Sequence, residues 1–184
     1  MSSTETLQIP RVRQPFGYLQ TIHEADVAYA ATLNDVIPFP TALDESEEKY
    51  ITANEVGGSI VSFTLKAGHK YECEACAFFS TAPANPNDPI VRWFSWYNKD
   101  TSVDAATGIL GIPGLERKLD TTRDYHNTGA SAIVDAMDLD EDVTIELKVT
   151  TVTDASTVAN LDMGTQVTIK MVPNTSGPWN GNKS

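Results

Sequence analysis

Cysteine is nearly missing from this chain of 184 residues. Only Cys73 and Cys76 occur, so a disulfide scaffold is excluded and a reducing cytoplasm is the expected place of synthesis. Long apolar runs are missing too. No stretch approaches the roughly 20 residues that cross a bilayer as a helix, and no membrane partner is expected. Positive charge is in short supply: 13 Lys and Arg stand against 25 Asp and Glu, a net charge of −12. Tracking a phosphate backbone needs a basic stripe; none is present, so no nucleic-acid partner is expected. Residues 1–10 lack a basic segment followed by an apolar core, and a secretory signal is not expected. Phosphate-cradling glycine loops and a Gly-x-Ser-x-Gly elbow are also absent, and the chain is not expected to be an enzyme.

What is present is alternation. The segment Ser-Ile-Val-Ser-Phe-Thr-Leu-Lys (59–66) puts Val61, Phe63 and Leu65 on one face. Val143, Ile145, Leu147 and Val149 repeat the pattern, as do Val167, Ile169 and Met171. A period of two is the side-chain period of a half-buried strand. Further strands are expected at 28–33 and 36–39 around an Asn34-Asp35 turn, at 51–56, 71–80 and 90–99, and at 115–122 (weakly) and 130–137. Between 65 and 71 a tight hairpin is expected, with Gly68 supplying a positive φ. Residues 41–49 and 81–89 read as loops, and 100–114, with Gly108, Gly111 and Gly114, as a turn-rich stretch. Eight or more short strands with turn signals about every ten residues specify an all-β, antiparallel jelly-roll β-sandwich. The expected organisation is an extended N-terminal arm (1–24), one sandwich domain (25–173) and a polar tail (174–184).

The strand at 90–99 overfills its pattern. Trp93 and Tyr97 fall on one face and Phe94 and Trp96 on the other, so it is apolar on both sides. Either it is sandwiched in the core, or one face is kept for another subunit.

Candidate chemistry is thin. Cys73-x-x-Cys76 has the spacing of half a zinc site, but no second ligand pair exists, and an offset of three along a strand sends the thiols to opposite faces. Two small, buried free thiols are expected. The acidic turn at Asp138, Asp140, Glu141 and Asp142 lacks the order of a calcium loop. A hydrolase would need a cluster among Asp100, Asp104, Asp120, Asp124 and His126. No catalytic residue, metal ligand or cofactor is expected.

The hairpin region 59–71, the aromatic strand 90–98 and the Val-Thr-Ile-Glu-Leu-Lys-Val strand (143–149) together resemble tailed-phage structural proteins of the TNF/C1q-like jelly-roll type. The resemblance covers roughly residues 25 to 173. It implies a homotrimer on a virion: a capsid decoration (cement) protein on the capsid exterior, made in the host cytoplasm and partnered by the major capsid protein. A tail-fibre or head-fibre knob that binds a host receptor is the alternative, less favoured because a knob normally follows a shaft or coiled-coil segment. On this reading Arg11, Arg13, Phe16 and Tyr18 of the arm would grip the shell. Trp93 with Tyr97, or Phe94 with Trp96, would meet the neighbouring subunit.

Overall fold

Backbone pairing turns the alternating segments into one curled sheet. The computed structural model describes residues 17–29, 34–45, 50–79, 90–100, 109–118, 125–152 and 160–172. Among them run β1 (Tyr18–Ile22), β2 (Val27–Ala28), β3 (Asp44–Glu45), β4 (Ile51–Val56), β5 (Ser59–Leu65), β6 (Lys70–Cys76) and β7 (Ile90–Asn98). After these come β8 (Ile109–Lys118), β9 (Tyr125–Thr128), β10 (Ala130–Asp135), β11 (Val143–Val152), β12 (Asn160–Leu161) and β13 (Gln166–Val172). Eleven strands form a sheet in the order β3-β1-β13-β6-β10-β8-β7-β11-β5-β4, with β9 on β8 off that path; β2 and β12 make a separate ribbon. The pairings are antiparallel, and the sheet curls 292° round an axis into a half-barrel.

The inward rows of that curl are the core. On one side Leu19, Ile169, Cys73 and Ala132 stand in register across β1, β13, β6 and β10, each at most 3% exposed. On the other, Leu147 lies opposite Trp96 and Val149 opposite Phe94, all at most 1% exposed. Phe39, Phe63 and Trp96 link the floor through ring contacts of 6.2 Å. Each of the large aliphatic and aromatic side chains among them contributes roughly 1.5–3 kcal/mol of burial.

Several local expectations change. Residues 18–22, expected within the arm, form β1: Leu19 and Thr21 face inward and the strand pairs residue for residue with β13. Only two inward positions mark it, too few for a period to stand out. Gly68 does take a positive φ of 80°, but it leads from β5 in one half of the sheet to β6 in the other and closes no hairpin. The tight hairpin is at Gly57-Gly58, with φ of 61° and 83°, between β4 and β5. Both central residues of such a turn need positive φ. Of the strand expected at 28–33, Ala28 ends β2 and Tyr29 lies beyond it, while residues 30–33 lie outside the described residues. Val36 and Phe39 form single bridges to Lys148 and Ile60, wedged where β11 and β5 splay apart.

The largest change is β8. Its N-terminal half falls in the stretch expected as turns, yet it runs as one strand from Ile109 to Lys118. Gly114 pairs with Phe94 and Leu110 with Trp96, so residues 111–113 bulge against the single Ser95. Gly111 makes the bulge possible at φ +71°, and a Cβ there would stand 2.1 Å from the Ser131 carbonyl oxygen. At Gly114 a Cβ would lie 2.3 Å from the Phe94 ring. These glycines serve close approach within a strand.

Candidate interaction surface

The aromatic strand resolves into two faces. Arg92, Phe94 and Trp96 point inward, each at most 1% exposed, so the Phe94/Trp96 pair is core of its own chain. Arg92 was not singled out from sequence; its guanidinium lies 4.9 Å from the Phe79 ring centroid, a cation–π contact inside the barrel. Trp93 faces outward and is 37% exposed. Tyr97 shares that face but is covered: the Lys148 ammonium sits 5.3 Å from its ring and pairs with the Glu146 carboxylate. Burial pushes the Tyr97 phenol above its ordinary range, and Lys148 partly offsets this. Of the arm residues, Tyr18 lies in β1, half-buried, its hydroxyl donating to the Gln20 side-chain oxygen. Arg11, Arg13 and Phe16 lie outside the described residues.

A second outward face is built by β1, β13, β6, β10 and the β8 bulge. Register sets its rows. Tyr18, Lys170, Glu72 and Ile133 form one, and Gln20, Thr168, Glu74, Ser131 and Ile112 the next. Ile112 is 68% exposed and Ile133 64%, on neighbouring strands. With Glu72, Gly111, Ser131 and Ala132 they line a shallow groove of about 390 Å³. Beside it, Glu74, Cys76, Gly129, Ser131, Gln166 and Thr168 line a cleft of about 270 Å³. The rim is acidic: Glu72 and Glu74 are both exposed, and Asp135 pairs with Lys70 at 3.4 Å. Three glycines make 100–114 look like turns and hide Ile112; a Gly-x-x-Gly spacing around an aliphatic residue is the signal that a bulge leaves.

The thiols part as the strand period requires. Cys73 is buried in the core as expected, whereas Cys76 is only half-buried, because it takes the outward face and lines the cleft. Burial raises both thiols, and neighbouring carboxylates add to it: Glu72 for Cys73, Glu74 for Cys76. A thiol held protonated is a poor nucleophile and a poor metal ligand. Acidic residues at the turns hold backbone: the Asp142 carboxylate accepts from Ala67 N–H at 2.9 Å and that of Asp100 from Thr144 N–H at 2.7 Å. Among the described residues no three His, Cys, Asp or Glu side chains converge as a metal site would require. Asp104, Asp120, Asp124 and the His126 side chain lie outside the described residues.

No family model matches this chain, and no similar curated protein is found. The class its geometry defines is therefore the coarse one. It is an all-antiparallel β protein, curled into a half-barrel, whose outer face carries an acid-rimmed aliphatic groove.

Proposed function

We propose that this half-barrel is a TNF/C1q-like jelly roll and that the protein is a trimeric decoration protein on the outside of a phage capsid. One observation carries the reading, the strand order. Divided between β10 and β8, the path gives two five-stranded halves, β3-β1-β13-β6-β10 and β8-β7-β11-β5-β4. The chain passes back and forth between them, from β5 to β6, β6 to β7, β8 to β10, β10 to β11 and β11 to β13, the wrapping of a double-sheet roll. Trp93 and the Ile112/Ile133 groove are surfaces that such an assembly could cover.

On this reading the subunits form a homotrimer, and each trimer clamps adjacent copies of the major capsid protein. Three weak contacts on one trimer then gain avidity through effective concentration. The test is to image purified particles of the parent virus and weigh the isolated protein. A trimer in solution, with density at a capsid symmetry axis that its fold fits, is the expected result. A monomer at micromolar concentration, missing from the particles, overturns it.

A further inference from the structure

The Ile112/Ile133 groove calls for an occupant that is aliphatic and cationic. Its floor is apolar, and its neighbours Glu72 and Glu74 form no ion pair among the described residues. A second copy presenting the same face would set Glu72 and Glu74 against their own counterparts, which like-charge repulsion disfavours. The chain itself contains the complementary sequence. Residues 9–16 read Ile-Pro-Arg-Val-Arg-Gln-Pro-Phe, with two cations and three apolar side chains in a protein of net charge −12.

The fold brings the end of that segment to the right place. Gly17 continues β1, its carbonyl accepting from Met171 N–H at 2.7 Å. The chain therefore enters the sheet beside the row of Val172, Lys70 and Asp135. From Tyr18 to Ile133 along one row is three strand spacings, about 14 Å. Val12 lies five residues before Gly17, a stretch that can span roughly 17 Å when extended. Reach suffices.

We propose that residues 9–16 dock on the outer face of their own chain, with Val12 in the Ile112/Ile133 groove and Arg11 and Arg13 against Glu72 and Glu74. This inference concerns one chain and does not rest on the capsid reading. If both hold, shell and groove compete for the same arm.

The experiment uses the full chain with p-benzoylphenylalanine in place of Val12, irradiated and mapped by mass spectrometry. The expected adducts fall within β8 or β10 and keep their yield on hundredfold dilution. Ile133→Asp or Glu72→Lys lowers the yield by about tenfold, as loss of one central contact does. Both sites are at the surface, so neither substitution should unfold the chain, which a melting curve checks. The charge swap Arg11→Glu, Arg13→Glu on the Glu72→Lys, Glu74→Lys background restores it. Adducts scattered elsewhere, or a yield indifferent to Ile133→Asp and Glu72→Lys, overturn the proposal. A yield that falls with dilution also overturns it, by assigning the groove to another copy's arm.

Discussion

Replacing Gly111 with alanine tests the β8 bulge, the feature that joins the two halves of the sheet and raises Ile112 from the surface. Two costs combine. Gly111 sits at φ +71°, where an L side chain costs about 1–2 kcal/mol. Its new Cβ would also stand 2.1 Å from the Ser131 carbonyl oxygen and 2.6 Å from the Ala132 Cα. Both are backbone atoms of a paired strand, so relief requires β10 to move, an overpacking cost of about 1–3 kcal/mol. The sum is about 2–5 kcal/mol, against a total stability of about 5–15 kcal/mol for a domain. At about 3 °C per kcal/mol for this chain length, Gly111→Ala should lower Tm by roughly 6–15 °C. Gly57→Ala is the control. Its φ is 61° but nothing lies within 4 Å of the added carbon. Only the conformational cost remains, and Tm should fall by about 3–6 °C. The assay is thermal unfolding followed by far-UV circular dichroism. If the two variants melt together, the close approach of β8 to β10 is not as described, and the account of Ile112 falls with it.

Other substitutions separate the faces of the barrel. Trp96→Ala should cost about 3–5 kcal/mol because the ring is fully buried, whereas Trp93→Ala should change stability by less than about 1 kcal/mol. Denaturant titration distinguishes them, and equal losses would contradict the inward and outward assignment. Stability should decline as pH rises past about 9. Cys73, Tyr71 and Tyr29 all have pKa values raised above the ordinary 9.0 and 10.0, chiefly by burial. The folded state holds those protons more tightly than the unfolded one, so the stabilisation is complete below the unfolded pKa and lost above it. Cys73→Ala should flatten the decline in Tm between pH 9 and 10; an unchanged slope would exclude Cys73 as a source. Deleting residues 1–16 should leave a cooperative melt, while deleting 1–20 removes Leu19 from the core and should cost at least about 2 kcal/mol. If both truncations melt alike, β1 contributes nothing to the sheet.

Alternation made the interior legible. Val143, Ile145, Leu147 and Val149 are buried as their spacing requires, and so are Val167, Ile169 and Met171. Val61 is the instructive exception. It was grouped with Phe63 and Leu65, yet Ile60 is the buried residue and Val61 is half-exposed. The register slips there because Asn54 pairs with Ser62 and Glu55 with Ile60, and a bulge moves the inward face by one residue. Bulges depend on what lies across the ladder, and that partner is distant in sequence. The same holds for β8, whose partners Phe94 and Ser131 lie on other strands. Glycines that read as turns were making room for a ring and a carbonyl. Strand neighbours were hidden for the same reason: β5 and β6 adjoin in sequence and belong to different halves of the sheet.

The same reasoning relocates the search for partners. A strand rich in aromatics draws attention because it seems to have more apolar surface than a core can use. Here the curl of the sheet uses it: Phe94 and Trp96 fill the interior, and Tyr97 is closed over by Lys148 and Glu146. Trp93 stays outside, and on the neighbouring strands β8 and β10 two isoleucines, Ile112 and Ile133, are among the exposed apolar side chains. The aromatic strand has the greater apolar area, but exposure decides what a partner can touch. Ile112 is 68% exposed on a bulge that only glycine permits, so the backbone itself specifies that this side chain face outward. A chain of net charge −12 that sets Glu72 in such a groove and Glu74 beside it, neither in an ion pair among the described residues, selects against its own copies in that orientation and in favour of cations. Aliphatic contact supplies the affinity there, and the acidic rim supplies the choice of partner.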